Sequence, residues 1–212
     1  MGTPRTPKGR ATAIHERLRR DFPDALCELD HTSPFELLTA TILSAQTTDA
    51  RVNLTTPALF AKYPTAHDLA AANPADVEAI IRSTGFYQAK TRNIIAMAVA
   101  LVERFAGDVP TELADLVSLP GVGRKTGNVV RSVAFDLPGL PVDTHVIRLS
   151  RRLGLSVEDD PVKLEHELNA LVPAAQRGQF SLRLILHGRR VCDAKRPRCG
   201  ECSLSEMCPS RQ

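Results

Sequence analysis

Apolar residues recur at helical spacing along most of the chain, and the polar residues between them supply signals for helix starts and ends. Residues 33–36, SPFE, have the form of a capping box with proline at the first helical position, and apolar residues follow through Leu43. Residues 73–76, NPAD, repeat the cap-then-proline signal, and Gly85 is placed to end the helix that follows.

The longest amphipathic segment runs from Phe86 to Phe105 and is expected to stop before Gly107. Its apolar positions at helical spacing include Ile94, Ile95, Ala98, Leu101 and Val102. Further helices are predicted at 112–117, at 124–135 and from 160 to a point before Pro173. We find no convincing run of alternating polar and apolar residues, so the sequence predicts an all-α fold.

The helical pattern breaks most clearly at residues 136–142, DLPGLPV, where two prolines and a glycine predict a joint. The hydrophobic content of 43% and charged content of 24% are those of a globular protein. No apolar run approaches the ~20 residues that span a bilayer, and the N-terminus lacks the apolar core of a signal peptide. We therefore expect a cytoplasmic protein (cytosol or nucleoid if the source is bacterial) with no membrane partner.

The net charge of +3 is weak evidence for a polyanionic partner, but the basic residues are unevenly distributed. Residues 1–20, which include Arg5, carry six basic side chains against Glu16 alone, and residues 183–198 carry six against Asp193. Two such clusters are expected if the chain ends fold together into one basic face for nucleic acid. The alternative is two separate solvated faces.

A glycine turn lies between the two predicted helices at 112–117 and 124–135. Gly121, Val122 and Gly123 would connect them and leave backbone N–H groups exposed at the start of the second helix, where the helix dipole also favours an anion. Glycine allows positive φ and a close approach of phosphate to the backbone. A helix-hairpin-helix holds DNA in this way without reading its sequence, so these residues and Arg124 are predicted to bind DNA. The alternative is a plain turn between helices.

Four cysteines stand close together near the C-terminus, spaced C-x6-C-x2-C-x5-C: Cys192, Cys199, Cys202 and Cys208. Such density in a chain without an export signal indicates a metal site rather than disulfides. The spacing alone leaves both zinc and a [4Fe–4S] cluster open. Cys27 is expected to be a buried apolar filler.

Five motifs in the same order make the chain resemble the endonuclease III family of DNA glycosylases. They are LLTATILSAQTTD (37–49), LPGVGRKTGNVV (119–130), VDTH (142–145), LILHGRRVC (184–192) and the terminal cysteines. The resemblance implies a six-helix barrel domain with the hairpin, at 27–137. It also implies an iron–sulfur cluster domain built from both chain ends, 1–26 and 138–212, with DNA bound in a cleft between the two domains.

The same resemblance selects a [4Fe–4S] cluster held by the four cysteines. It places the loop between the first two cysteines against the DNA backbone, with Lys195 and Arg198 as contacts. A redox role for the cluster is an open alternative. His145 and His187 are expected to be structural.

Lys125 matches the family lysine that attacks the sugar C1′ and expels the damaged base. By itself, a lysine beside a hairpin is more simply read as a phosphate contact. The N-terminal end of a helix disfavours an added positive charge, however, and so favours the neutral amine that a nucleophile needs. Asp143 matches the catalytic carboxylate facing that lysine, and its simpler role is to cap a helix that starts at Thr144.

Two further residues match the family positions that open the duplex. Gln46 aligns with the residue that fills the gap left by the extruded nucleotide. Phe86 stands where leucine is commoner as the wedge into the opposite strand, and its alternative role is packing at a helix start. Gly127 likewise replaces the commoner alanine.

The resemblance predicts a monomeric base-excision-repair enzyme that removes oxidised pyrimidines from duplex DNA and cleaves AP sites by β-elimination. A mismatch adenine glycosylase would carry a carboxylate where this chain has Ile42, and a thymine-mismatch relative would have tyrosine at position 125. A non-catalytic DNA-binding module is the remaining alternative, and the pairing of Lys125 with Asp143 speaks against it.

Overall fold

The structure is a computed structural model that describes residues 6–212. These residues form eleven α-helices, joined by short 3-10 turns and loops, and contain no strand, which confirms the all-α prediction. The helices are α1 Pro7–Asp21, α2 Pro34–Leu43, α3 Asp49–Lys62, α4 Ala66–Ala70, α5 Pro74–Ile81, α6 Tyr87–Phe105, α7 Leu113–Val117, α8 Arg124–Ala134, α9 Thr144–Arg152, α10 Pro161–Leu171 and α11 Arg177–Arg190. None of them is both long and apolar enough to cross a bilayer.

Side-chain caps start three of the helices that the sequence predicted, α2, α5 and α10. Asn73 and Asp160 cap α5 and α10, each ahead of a proline at the first helical position. Ser33 caps α2 through a 3.2 Å bond from the Glu36 N–H, but the predicted capping box is only half formed. The Glu36 carboxylate instead accepts from the Thr32 N–H at 2.6 Å and from the Thr32 hydroxyl at 2.9 Å, because Thr32 offers two donors at one place.

Residues Cys27–Leu137 form one compact unit, which contains α2 to α8. Helix α6 packs against α2, α4 and α5. On its apolar face Ile94, Ala98 and Leu101 are fully buried, and Ile95 and Val102 are partly buried. The predicted breaks around α6 are confirmed: α5 and a 3-10 turn (Arg82–Thr84) end at Gly85, and α6 ends before Gly107. Cys27, expected to be buried, is only half-buried where it packs against this core.

Residues 6–26 and 138–212 form a second compact unit. Its described part contains α1, α9, α10 and α11, with α1 packed against α10 and α11. Several arginines of the two basic clusters are used inside this unit. Arg10 and Arg17 donate to the carbonyls of Met207 and Ser203 at 2.7 and 2.9 Å, and the buried Arg183 donates to the Phe22 carbonyl at 3.1 Å.

These contacts show that not every basic residue of the two clusters is available to nucleic acid. At least part of both clusters ties α1 to the C-terminal segment instead of facing solvent. Arg5, also counted in the N-terminal cluster, lies outside the described residues.

Candidate functional site

The glycine hairpin (residues 119–130) is built by the close packing of α7 against α8. Gly121 has φ of 76°, and a Cβ there would lie 2.8 Å from the Cβ of Asn93 on α6. Gly123 differs: its φ is −86°, and a Cβ there would meet nothing within 4 Å. The fold therefore requires glycine at 121, whereas the absence of a side chain at 123 leaves open space above the backbone.

The start of α8 has the features of an anion site. Gly123 is the N-cap residue, so no side chain caps the first turn, and that turn contains no acidic residue. Lys125, the second residue of α8, is exposed, Arg124 is half-buried, and Val122 is buried beneath the turn.

Gly127 lies at the contact between α7 and α8. A Cβ at this position would lie 2.8 Å from Cδ1 of Leu113, so α7 and α8 approach each other closely here. In addition, the Arg131 guanidinium on α8 lies 3.7 Å from the Glu112 carboxylate and donates to the Thr111 carbonyl, which fixes the two helices further.

Gln46 and Phe86 lie in two loops of the same unit that we call the Gln46 loop (residues 44–48) and the Phe86 loop (residues 82–86). Both residues have left-handed backbones, with φ of 54° and 46°, and both are exposed. Phe86 keeps 68% of its surface accessible, which rules out packing at the helix start as its role. A non-glycine residue held at positive φ stores strain, and such strain concentrates at functional sites.

A buried lysine that the sequence analysis missed lies between these two loops. Lys90, on α6, is 4% exposed, and its ammonium donates to the carbonyls of Leu43 and Thr84 and to the hydroxyl of Thr47. Burial lowers the pKa of Lys90 from its usual range. The sequence does carry a signal for it, since Lys90 stands four residues before Ile94 on the apolar face of α6, where a core residue is expected.

Asp143 caps α9, as the sequence predicted. Its Oδ1 accepts from the N–H groups of His145 and Val146 at 2.8 and 2.9 Å, so Oδ2 is not used by the cap. Helix α9 is held on α11 by Arg148, which donates to the carbonyls of Gly188 and Cys192 at 3.0 Å each. The Asp143 carboxylate is therefore half-buried at the start of a well-anchored helix.

His145 and His187 both contact neighbours in the same unit. Burial is the main cause that lowers the pKa of each imidazole. His145 Nδ1 lies 3.1 Å from Arg148, and a Cβ on Gly188 would lie 2.8 Å from that same ring atom. The close fit supports the structural role expected for His145.

The four cysteines line one cavity, together with residues of α9 and α11. All four are half-buried free thiols, and burial raises the pKa of the Cys202 and Cys208 thiols. Within residues 6–212, no three Cys, His, Asp or Glu side chains are close enough together to hold a single metal ion. The sulfurs thus surround a space and do not converge on one point.

Arg152, the last residue of α9, contacts Cys192 and the two residues that follow it. It donates to Cys192 Sγ at 3.2 Å and to the carbonyls of Asp193 and Ala194 at 2.7 Å each. His187 Nε2 lies 3.5 Å from Cys202 Sγ. Neither contact had a signal in the sequence, because both depend on tertiary packing between elements far apart in the chain.

The cysteine loop (residues 192–199) presents Lys195 and Arg198 differently. The Asp193 carboxylate accepts from the N–H groups of Lys195 and Arg196, and these bonds lower the pKa of Asp193. Lys195 itself is exposed. The Arg198 guanidinium lies 3.1 Å from the Glu201 carboxylate and also donates to the Arg190 carbonyl.

The structure thus brings some predicted site residues together within each unit. In Cys27–Leu137, Lys90 links the Gln46 loop to the Phe86 loop, and α8 with Lys125 packs against α2, whose end leads into the Gln46 loop. In the other unit, the four cysteines share a cavity.

Comparison with known proteins assigns this set of residues to a family. Residues 39–174 match the model of the HhH-GPD superfamily of base excision DNA repair proteins, and residues 192–208, which contain all four cysteines, match the iron–sulfur binding domain of endonuclease III. Endonuclease III of Synechocystis sp. is 50% identical to this chain over 97% of the chain and 94% of its own length. The chain belongs to the endonuclease III family.

Solved structures of the family agree closely with this one. A non-covalent endonuclease III–DNA complex has a TM-score of 0.91 and 43% identity, covering 96% of this chain and 95% of that one. A trapped covalent endonuclease III–DNA intermediate also has a TM-score of 0.91, with 44% identity and 96% of both chains covered. This member of the endonuclease III family is a base-excision DNA glycosylase/AP lyase with an iron–sulfur cluster domain.

Proposed function

We propose that this chain excises oxidised pyrimidines from duplex DNA and then cleaves the strand at the resulting AP site through an imine on Lys125. The observation that carries the proposal is the placement of Lys125: an exposed amine on the first turn of α8, two residues after the open backbone of Gly123. A phosphate on the hairpin N–H groups would bring the sugar of the bound strand to this amine.

In the first step, the Lys125 amine attacks C1′ and the bond between C1′ and the base breaks, with the electron pair leaving on the base. Asp143 is the proposed carboxylate partner. Its Oδ2, which the helix cap does not use, would stabilise positive charge at C1′ and accept a proton from the attacking amine.

The second step uses the same covalent bond. Opening of the sugar ring gives an imine between Lys125 and C1′, loss of a proton from C2′ follows, and the 3′ phosphate leaves by β-elimination. One lysine therefore serves both base release and strand cleavage.

Extrusion of the damaged nucleotide is assigned to Gln46 and Phe86, which would fill the gap and wedge the opposite strand. Their exposure and left-handed backbones support this assignment. Backbone binding is assigned to Gly121, Val122, Gly123 and Arg124 of the hairpin, with Lys195 and Arg198 of the cysteine loop as charged contacts. The partner is double-stranded DNA that contains an oxidised pyrimidine or an AP site.

A [4Fe–4S] cluster fits the four cysteines better than zinc. Zinc would need the four sulfurs within ~2.3 Å of one point, whereas Cys192, Cys199, Cys202 and Cys208 surround a cavity without converging. In a cluster each thiolate binds its own iron, so the sulfurs stand farther apart. The cluster would hold the cysteine loop in place, and we assign it no step of the reaction.

We further propose that Cys27–Leu137 is the six-helix barrel domain and that the chain on either side of it is the cluster domain. The protein would act as a monomer in the cytosol. An adenine-mismatch specificity is disfavoured by the buried Ile42 at the position where that activity needs a carboxylate, and a thymine-mismatch specificity by lysine in place of tyrosine at position 125.

The decisive experiment traps the imine with borohydride on a duplex that carries one oxidised pyrimidine, and on a second duplex with an AP site. Wild type should become covalently attached to both. Lys125→Gln should lose trapping and nicking while still binding DNA, and Lys163→Gln, which alters an exposed lysine on α10, should behave like wild type. Trapping of Lys125→Gln at the wild-type level would identify another amine as the nucleophile.

The cluster is tested by analysis of anaerobically purified protein. We expect about four irons and about four sulfides per chain. Zinc without iron or sulfide would reject the cluster.

A further inference from the structure

Lys90 lies outside both loops, and its side chain bonds to the Gln46 loop and to the Phe86 loop. Its ammonium donates to the Leu43 carbonyl at 2.7 Å, to the Thr47 hydroxyl at 2.8 Å and to the Thr84 carbonyl at 2.8 Å. An ammonium has three donors, so these three acceptors use all of them. The Thr47 hydroxyl in turn donates to the Thr84 carbonyl, which joins the two loops directly.

The acceptors lie immediately beside the two residues assigned to the duplex. Thr47 follows Gln46, and Leu43 is the last residue of α2 before the Gln46 loop. Thr84 precedes Gly85 and Phe86, and the turn that contains it is also attached to α3 by a 3.1 Å contact between the hydroxyls of Ser83 and Thr55. Both left-handed residues are therefore held from the same point in the core.

Burial of this ammonium costs folding free energy, so stability alone does not explain a lysine at this position. A buried ammonium without a carboxylate partner loses hydration, and all three of its hydrogen-bond partners here are neutral. An apolar side chain would be the ordinary choice on this face of α6. Lysine provides what an apolar residue cannot, namely three donors at one position between two loops.

We propose that Lys90 is a positioning residue that fixes the Gln46 loop to the Phe86 loop, so that Gln46 and Phe86 enter the duplex together as one rigid wedge. This inference rests on the proposed function and adds to it the side chain that spaces the two inserted residues. Lys90 is buried and does not itself touch DNA. Its role is to prevent either strained loop from relaxing independently when the base is extruded.

The test separates extrusion from chemistry by comparing two substrates. A paired oxidised pyrimidine must be unstacked before excision, at a cost of a few kcal/mol, whereas an AP site has no base to unstack. Base release and borohydride trapping are therefore measured in single turnovers on both duplexes. The variants are Lys90→Met, which keeps an unbranched side chain but removes the donors, and Thr47→Val. The second removes one acceptor of Lys90 and the donor to the Thr84 carbonyl with little change in shape.

A purely structural role would reduce activity on both substrates together, in proportion to the folded fraction. Met97→Ala controls for this, because it removes a fully buried side chain from the same helix without altering the lysine contacts. Thermal unfolding of all three variants sets the temperature at which each is fully folded, and the kinetic assays are run below it.

We expect Lys90→Met to slow release of the paired base by at least about tenfold while trapping on the AP site changes by less than about threefold. Thr47→Val should change both rates in the same directions by a smaller factor, and Met97→Ala should leave the ratio of the two rates at the wild-type value. Equal losses on the two substrates in Lys90→Met, or no loss on either, would overturn the positioning role. A wild-type protein that neither releases the base nor traps on the AP site would instead reject the proposed function.

Discussion

Asp143 shows how one carboxylate can combine a structural and a chemical role. Its Oδ1 alone starts α9, accepting two backbone N–H groups at 2.8 and 2.9 Å. Asp160 caps α10 with the same geometry, its Oδ1 accepting from Val162 and Lys163 at 3.0 and 2.9 Å. The two aspartates thus make the same pair of cap hydrogen bonds, and only one of them has been assigned to the reaction.

This equivalence gives a controlled test of the carboxylate. Asp143→Asn keeps an oxygen that caps as well as aspartate does, so the free energy of unfolding should change by less than about 0.5 kcal/mol. Base excision should fall by about 100-fold or more, since the charge that assists at C1′ is lost. Asp160→Asn should change neither quantity. Normal excision by Asp143→Asn would reduce Asp143 to a helix cap.

At the same scale, the backbone contacts of Lys90, Arg152 and Arg198 could not be predicted from the sequence. Each of these residues is basic and was expected, if at all, on a surface. Each donates to a backbone carbonyl: Lys90 to Leu43, Arg152 to Asp193 and Arg198 to Arg190. Carbonyl partners leave no trace in the pattern of side chains, so only the structure could identify them.

At the scale of elements, the sequence predicted those helices whose start and end signals are local. The caps at Ser33, Asn73 and Asp160 are all present, because a cap depends on a few neighbouring residues. Helix α3 was not predicted. Pro57 lies in its interior and reads as a helix end, yet the helix continues to Lys62.

The hairpin was predicted as an element, but the different roles of its two glycines were not. Gly121 needs a left-handed backbone and has Asn93 against it, both of which are properties of the folded protein. Gly123 has an ordinary φ and open space above it, so folding does not explain the glycine there. A bound phosphate does explain it, since even a methyl group would hold the phosphate away from the backbone.

Alanine at the two positions should therefore affect different properties of the protein: stability at 121 and DNA binding at 123. Gly121→Ala should lower the free energy of unfolding by about 1–3 kcal/mol, from backbone strain and the contact with Asn93. Gly123→Ala should melt within a degree or two of wild type, as expected for a change below about 0.5 kcal/mol, but should bind duplex DNA more weakly. Thermal melts and binding titrations measure the two effects. Wild-type DNA affinity in Gly123→Ala would argue against phosphate at this turn.

At the scale of the whole molecule, the uneven distribution of basic residues predicted DNA binding. Not every one of these residues is available to DNA. Arg10, Arg17 and Arg183 satisfy backbone carbonyls within their own unit. Counting charges in the sequence could not separate these residues from the exposed Lys195. The distinction depends on where α1 and the C-terminal segment meet, which is a property of the tertiary structure.

The cysteine loop offers a measurable consequence of this distinction. Lys195 is exposed, whereas Arg198 is already compensated by Glu201 at 3.1 Å. Each phosphate contact that is lost should flatten the dependence of binding on salt by ~1 in the logarithmic slope. Lys195→Ala should therefore flatten the slope by ~1 and weaken binding to damaged and undamaged duplex by similar factors. Arg198→Ala should have a smaller effect.

Glu201→Gln provides the complementary variant. An exposed ion pair of this kind contributes little stability, so its removal should leave the fold unchanged. With its guanidinium no longer paired, Arg198 should contact phosphate more strongly, which should raise the affinity for both duplexes and steepen the salt dependence. Lys163→Ala changes the net charge on α10 as a control and should leave the slope unchanged. If Glu201→Gln bound DNA no better than wild type while Arg198→Ala flattened the slope as much as Lys195→Ala, then Arg198 would already contact phosphate in spite of its ion pair.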